Sequence, residues 1–496
     1  MGLLARPLST VVRMSSAGFT RKAAAMTTVT FDAPGLGDRS YLISDGDAGV
    51  VVDPQRDPSP YLQAAEKLGV AVTAILETHI HNDYVSGGLA LARATGASYA
   101  IPAGESVSFP DEFRALDDGD TLVVGRLEVA AIATAGHTAH HLAYLVKLAG
   151  DASDVEAAEH VVCTGGSLLV NATGRTDLLG PALAESLARS QWHSVRRLLT
   201  TLPKHARILP THGFGSFCSA TPTHGDVTLV PTIAQELEQN PAALLDEEDF
   251  VATLLRDPLP IPAYYRHMAP LNRKGAAVPS FEPAPGLDAD ALEDAIRGAE
   301  WVVDLRQRRD YAAGHLPGTL NLELGENLTT YLGWIVPWES SLVLLAGDDA
   351  QIAEARRLVA RIGRDDLLGT ALWGPTISAL ELAGRSRLNS YPVATFSDLA
   401  ETWRDHKAAG PQVFDVRHRY EWQAGHLRGA RHLALPQLAA SRPEVPTTVR
   451  VWVHCGAGFR AAAAASLLSG WGASPVFIDD TWENATRTDL PIVTSD

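Results

Sequence analysis

Two short stretches of this chain hold side chains that can do chemistry. The first is Glu77-Thr78-His79-Ile80-His81-Asn82-Asp83-Tyr84. Neutral imidazole is the commonest metal ligand, and two imidazoles one residue apart at a strand end can reach one ion. The carboxylate of Asp83, two residues on, suits the same place. The second is Cys455-Gly456-Ala457-Gly458-Phe459-Arg460. A thiol on a loop that leads into a helix meets converging backbone N–H groups and the positive end of the helix dipole. Arg460 adds a cation. These features favour the thiolate and make Cys455 and Arg460 the candidate catalytic pair. The backbone of Gly456, Ala457, Gly458 and Phe459 would hold the outer sulfur of a cysteine persulfide.

Elements must bring these groups into place. The apolar run Val70, Val72, Ile75, Leu76 predicts a buried strand that delivers the His79 turn, and Val85 to Ala92 predicts the helix after it. The pattern recurs. Leu127 to Thr134 is a predicted strand ending in Ala135-Gly136-His137-Thr138. Val161 to Thr164 ends in Gly165-Gly166-Ser167, and Arg207 to Pro210 ends in Thr211-His212-Gly213. Strand after strand closing in a polar turn is how an α/β sandwich gathers a site along one sheet edge. His140 and His141 follow His137, where packing is the simpler role for both. Cys163, inside an apolar strand, reads as an inert thiol. Cys218 either packs in its loop or lines the pocket.

The C-terminal part contains an internal repeat. Val303-Asp304-Leu305-Arg306 is followed by Gly314-His315-Leu316-Pro317-Gly318, and Phe414-Asp415-Val416-Arg417 by Gly425-His426-Leu427-Arg428-Gly429. Asp and Gly are ten residues apart in both. Each copy predicts alternating strands and helices, hence two parallel α/β domains. The nucleophile belongs to the second copy, between the strand Val451 to His454 and an Ala-rich helix from Ala461 to Gly470. Four residues separate Cys455 from Arg460; phosphatases of similar topology have a longer loop with room for phosphate, so this spacing points to sulfur transfer. The matching loop of the first copy, Ala346-Gly347-Asp348-Asp349, has no thiol, and its acids would repel anionic sulfur. It predicts a non-catalytic spacer or docking domain.

At 496 residues the chain is too long for one core, and about three domains is the natural expectation. The net charge of −17 argues against nucleic acid and against an anionic membrane surface as partners. Apolar runs stay well short of the ~20 residues of a membrane span. Three cysteines, far apart and odd in number, are not a disulfide framework and point to a reducing compartment. Residues 1–26 form a basic extension with Arg6, Arg13, Arg21 and Lys22. It reads as a mitochondrial transit peptide or as translation begun before a true start at Met14 or Met26. Abundant arginine, alanine and glycine with little lysine suit a GC-rich bacterial genome, so a cytoplasmic protein is expected, with mitochondria as the alternative. The predicted boundaries are 27–240 for the first domain, 241–282 for a connector, and 283–388 and 389–496 for the repeat.

From 27 to 240 the order of strands and turns, with the His-x-His-x-Asp block, resembles the metallo-β-lactamase fold, an αββα sandwich. Within that fold it is most similar to the persulfide dioxygenase branch, which is related to glyoxalase II. Gly174-Arg175-Thr176-Asp177-Leu178 belongs to that resemblance. In that branch one iron is held by the first His of the block, the His of a Gly-His-Thr turn and the Asp of a Thr-Gly-Asp turn. The first two carry over to His79 and His137, whereas the third position is Gly166. His81, Asp83 and His212 match the other metal-site positions, and Tyr84 stands where the block has its last His. What remains is a three-imidazole face of His79, His81 and His137, with Asp83 and His212 nearby, suited to Fe(II) or, alternatively, zinc. An Asp restored at 166 would be expected to strengthen iron binding.

Both copies of the repeat resemble rhodanese domains. The whole is then similar to persulfide dioxygenase–rhodanese fusions. That resemblance implies metal-dependent oxidation of a thiol persulfide to sulfite beside sulfane-sulfur transfer through Cys455. The implied partners are a low-molecular-weight thiol persulfide and sulfite or thiosulfate; a homo-oligomer stays open. Two alternatives are a glyoxalase II-type thioester hydrolase with a rhodanese tail, and a metal-free scaffold whose chemistry is sulfur transfer alone.

Overall fold

The computed structural model describes residues 12–14, 25–149, 159–220, 230–385, 387–405, 410–445 and 448–494. The basic N-terminal extension lies almost wholly outside these. The chain divides into two compact units. One reaches to Pro279 and includes Ala360–Gly363; the other comprises Ser280–Val359 and Arg364–Asp496.

The first unit is an αββα sandwich. A seven-stranded sheet runs in sequence order, Val12–Met14, Thr27–Ala33, Asp38–Ser44, Ala48–Val52, Ala71–Leu76, Ser98–Pro102 and Arg114–Leu116. A five-stranded sheet has the order Arg207–Pro210, His160–Gly165, Leu142–Leu148, Leu127–Ala133, Thr121–Val124. Alternation drives the packing: Val129 and Ala131 point inward from Leu127–Ala133 and meet Ile43, Val50, Val52 and Leu76 of the other sheet. The Tyr41 hydroxyl crosses between the sheets to donate to the Pro210 carbonyl at 2.6 Å. Outside, Ser59–Leu68 and Gly88–Thr95 cover the first sheet, and the long helix Pro181–Thr201 covers the second.

Residues 241–279, expected to be part of a connector, fold onto this unit. Phe250 and Val251 of the helix Glu247–Leu255 join the core under Pro181–Thr201. The helix Tyr265–Lys274 brings Asn272, whose amide donates to the carbonyls of His81 and Tyr84, both at 2.9 Å, and accepts from Ser86 N–H at 2.8 Å. One side chain thus satisfies three backbone groups of the His79 turn.

The second unit holds both copies of the repeat. The first has four parallel strands in the order Leu320–Asn321, Trp301–Asp304, Leu342–Ala346, Gly369–Leu372. The second has five, Val393–Ala394, Ser474–Ile478, Arg450–His454, Gln412–Asp415, Arg431–His432. The repeated motif is one clamp built twice. Arg306 pairs with Asp304 at 2.7 Å and donates to the Gly314 carbonyl at 3.0 Å. Arg417 pairs with Asp415 at 2.6 Å and donates to the Gly425 carbonyl at 2.7 Å. The two guanidinium groups stack on Trp373 and Trp482. A planar, always-charged fork is what such a buried clamp needs.

Candidate functional site

Four strand ends of the first unit converge. Asp53, left-handed at φ 53° just after the strand Ala48–Val52, joins two of their turns. It accepts from Thr78 N–H and Thr78 Oγ1, each at 2.7 Å, and from Thr211 Oγ1. The Tyr144 hydroxyl holds the Glu77 carbonyl at 2.8 Å. These bonds set the turn that carries His79, His81 and Asp83 against the one that carries His212.

The structure brings the ligand atoms of His79, His137 and His212 within 4.8 Å of one another, all buried. The ring orientations follow from hydrogen-bond accounting. Thr78 Oγ1 spends its hydrogen on Asp53, so at 2.9 Å His79 Nδ1–H is the donor to it and Nε2 faces inward with its lone pair. His137 Nδ1–H donates to the Arg175 carbonyl at 2.8 Å, leaving a buried Nε2 with no hydrogen-bond partner among the described residues. His212 Nδ1 lies 2.8 Å from Asp38 Oδ1 and 3.1 Å from Asp83 Oδ2, so its Nε2 also points inward, 3.3 Å from His79 Nε2. Two nitrogens bound to one tetrahedral ion at ~2.0–2.1 Å stand about 3.4 Å apart. The three inward Nε2 atoms therefore fit a single cation, and a proton shared between His79 and His212 is the alternative occupant of that gap.

The charges agree with this at His79 and His137, whereas His212 must give up a proton to bind a metal. Burial and the neighbouring imidazoles His81, His141 and His137 hold His79 well below its ordinary range. Burial and His212 push His137 down to about 3. Burial opposes charge on His212 too, but the carboxylates of Asp83 and Asp38 prevail and raise it to about 10. Asp38 itself is pushed up to about 7 by burial and by Asp83.

His81 takes another direction. Its Nε2 lies 3.2 Å from Asp53 Oδ1 and 3.3 Å from Glu77 Oε2, and its ring stacks on Tyr84 at 4.3 Å. His81, Asp83 and His212 also offer ligand atoms within 4.8 Å. Tyr84 turns away to donate to the Asp53 carbonyl at 3.1 Å. His141 is a support: its Nε2 accepts from Gly166 N–H at 3.0 Å, its Nδ1–H faces Thr134 Oγ1 at 2.7 Å, and its ring stacks on His79. The Gly166 turn does reach the site. A Cβ there, however, would stand 2.7 Å from His137 Nε2 and closer still to its Cδ2. An aspartate at 166 has no room unless His137 moves.

Asp38, Asp53 and Glu77 carry much of this arrangement, and sequence reasoning gave them no role. Each follows or begins an apolar strand, and an acid there looks like an ordinary strand end. Cys163 sits in the inter-sheet core and Cys218 is fully buried 3.8 Å from the Tyr265 hydroxyl; burial pushes both thiols well up. Beside the His79 and His137 turns, a cavity of about 270 Å³ is lined by Ile80, Asn82, Glu105, Thr138, His140 and Arg273. It gives a small molecule room next to the imidazoles.

In the second unit the strand Arg450–His454 delivers Cys455, and the helix Phe459–Gly470 begins four residues later. The thiol is 2% exposed and its Sγ accepts from Gly458 N–H at 3.2 Å. Gly458 makes that possible with φ 91°, a left-handed conformation favourable to glycine. Arg460 does not face the sulfur unshared: Glu421 takes its fork, with one N–O distance of 2.8 Å. Nothing in the spacing of the loop pointed to Glu421.

The fold and this geometry define a metallo-β-lactamase-type site joined to a rhodanese-type cysteine loop. The sequence profile of the metallo-beta-lactamase superfamily matches residues 34–212, and that of the rhodanese-like domain matches 398–485. A probable metallo-hydrolase of Burkholderia pseudomallei (strain 1710b) is 30% identical over 46% of this chain and 84% of its own length. The chain belongs to the metallo-beta-lactamase superfamily. A mitochondrial persulfide dioxygenase of Homo sapiens is 27% identical over 49% of this chain and 85% of its own. A hydroxyacylglutathione hydrolase of Rhodospirillum rubrum is 32% identical over 38% of this chain and 62% of its own. The crystal structure of a metallo-beta-lactamase from Staphylococcus aureus subsp. aureus COL matches with a TM-score of 0.62 and 26% identity, covering 70% of this chain and 99% of that one. That share exceeds the first unit, so the similarity extends into the second. Among the described residues no helix is long and apolar enough to cross a membrane.

Proposed function

We propose that this protein works on sulfane sulfur at two places: the first unit oxidises a low-molecular-weight thiol persulfide to sulfite, and the second carries sulfur on Cys455. The observation that carries the reading is the Cys455 loop, where the Gly458 N–H meets Sγ at the head of a helix in a chain that also gathers three inward Nε2 atoms. The human relative named as a persulfide dioxygenase supports the oxidative half. The balanced reaction takes one dioxygen and one water and releases thiol, sulfite and two protons: the S–S bond breaks, the inner sulfur leaves as thiol, the outer sulfur is oxidised to sulfite, and dioxygen takes the net four electrons.

His79, His137 and His212 would hold the metal, taken as iron(II), which supplies the reduction of dioxygen when bound. The protein's own groups do the rest. Thr78, Asp38 and the Arg175 carbonyl fix the ring orientations, burial keeps the imidazoles of His79 and His137 neutral, and the adjoining cavity admits the persulfide. In the second unit the Cys455 thiolate attacks a sulfane sulfur, a new S–S bond forms, and the leaving group departs with the electron pair of the broken bond. A thiophilic acceptor such as sulfite or cyanide then removes the outer sulfur and returns the thiolate. Tethering the two units raises the effective concentration of the shared sulfur species.

The test measures metal content, oxygen uptake with sulfite formation, and thiosulfate:cyanide transfer. A His79→Ala, His137→Ala variant should lose metal and oxygen uptake but keep transfer. Cys455→Ser should do the reverse. Wild-type protein that takes up no oxygen with any low-molecular-weight persulfide, yet hydrolyses thioesters, would establish the hydrolase reading that the hydroxyacylglutathione hydrolase relative suggests.

A further inference from the structure

The first repeat copy lacks a thiol, yet it meets the thiol loop of the second. Its helix Leu328–Ile335 is buried along its whole length. Tyr331 sets its ring 5.5 Å from that of Phe459, inside the Cys455 loop, and its hydroxyl 3.3 Å from His418 Nε2. The same phenol interacts electrostatically with the Arg460 guanidinium and the Cys455 thiol. Trp334, one turn on, packs its ring 5.2 Å from His418. A buried aromatic on a helix usually faces apolar neighbours; here the polar end of Tyr331 meets His418 and its ring meets Phe459 of the Cys455 loop.

A second contact fixes the loop from below. Arg308 of the first copy pairs with Asp479 of the second at 2.6 Å, and Arg309 pairs with the same carboxylate. A Cβ on Gly458 would lie 2.5 Å from Asp479 Oδ1 and 3.1 Å from Arg308 Nε, so the pair is pressed against the loop backbone. Further along, Asn321 N–H donates to Ser466 Oγ at 3.1 Å, holding the helix that follows the loop.

We infer that the first copy is a working wall of the sulfur-transfer site, and that the Tyr331 hydroxyl is a hydrogen-bond donor to the anionic sulfane-sulfur donor bound at Cys455. This rests on the reading of Cys455 as sulfur carrier. Burial keeps the phenol protonated, so it remains an O–H donor at neutral pH. Burial and Arg460 lower His418 to about 4, so its ring is neutral and its Nε2 accepts that O–H in the tautomer protonated at Nδ1. A hydrogen bond of 3.3 Å is long and readily exchanged for one to an anion. Glu421 takes one hydrogen from each of the two Arg460 Nη atoms, and the phenol adds an uncharged donor beside the loop. With thiosulfate, the Cys455 thiolate bonds to the outer sulfur, the bond to the sulfonate sulfur breaks, and sulfite leaves with its electron pair. Tyr331 would hold the sulfonate oxygens throughout, with no proton transferred.

Tyr331→Phe keeps the ring and removes only the O–H. In the full chain, kcat/KM for thiosulfate in thiosulfate:cyanide transfer should fall about 10–100-fold, the range for losing a hydrogen bond to a charged group. The melting temperature and the rate of Cys455 alkylation by iodoacetamide, a neutral probe, should stay as in wild type. Unchanged kcat/KM, or a fall matched by slower alkylation and lower melting temperature, overturns the assignment. Cys455→Ser is run alongside. If it retains transfer, the carrier reading fails; if it abolishes transfer while Tyr331→Phe is unaffected, only the role of Tyr331 fails.

Discussion

His212 owes its inward Nε2 to Asp38, which binds its Nδ1 at 2.8 Å from the start of the strand Asp38–Ser44. A carboxylate behind an imidazole fixes the tautomer and raises its basicity toward a metal. Asp38→Asn keeps the shape but not the charge. It should weaken metal binding roughly 10–100-fold, read by competition with a chelator, while the melting temperature of chelator-treated protein changes little. Equal metal affinity in the two proteins would remove Asp38 from the site. His79 and His137 were legible from sequence because a glycine- or histidine-bearing turn after an apolar run is a local signal. Asp38 and Asp53 were not, because their partners, His212, Thr78 and Thr211, are brought to them only by the folding of distant strands.

At the scale of elements, the repeat was legible for a physical reason. Asp, Arg and Gly form a clamp whose partners lie within ten residues of one another, so spacing alone encodes it. The packing of 241–279 on the first unit was less legible, since Phe250 and Asn272 reach partners far away in sequence. Within the first copy of the clamp, His315 stacks on Tyr311 at 4.2 Å, donates from Nδ1 to the Tyr311 carbonyl, and lies near Ser469 and Tyr391. Burial, with a smaller push from Arg306, lowers it to about 4. An unfolded histidine titrates near about 6.5. Between those values the unfolded chain binds a proton that the folded chain refuses, so stability is full above about 6.5 and falls as pH drops toward about 4. His315→Gln removes this titration. Its melting temperature should fall less than that of wild type between pH 7 and pH 4.5, measured in one buffer series; parallel curves would show that His315 is not the group responsible.

For the molecule as a whole, the net charge of −17 means that the proposed substrates, anionic persulfides and thiosulfate, would approach a surface that repels them. Salt screens such repulsion, with a Debye length of about 10 Å at 0.1 M. Raising ionic strength should therefore increase kcat/KM for thiosulfate at Cys455, without changing kcat. A decrease with salt would mean that a local positive field, not the overall charge, governs approach.

The outward Nδ1 bonds of His79 and His212 set several of the nearby acids on the far side of a ring. Asp38 and Asp83 stand behind His212, and Asp53 stands behind Thr78 and His79. Where the persulfide dioxygenase branch places a carboxylate among its iron ligands, this chain presents the small Gly166 turn. A visitor bearing negative charge at the Nε2 atoms then feels Asp38 and Asp53 only through an intervening layer of imidazole. The neighbouring cavity carries its own charge as a pair, Glu105 held by Arg273 at 3.0 Å, so an anion entering there meets a neutralised carboxylate rather than a bare one.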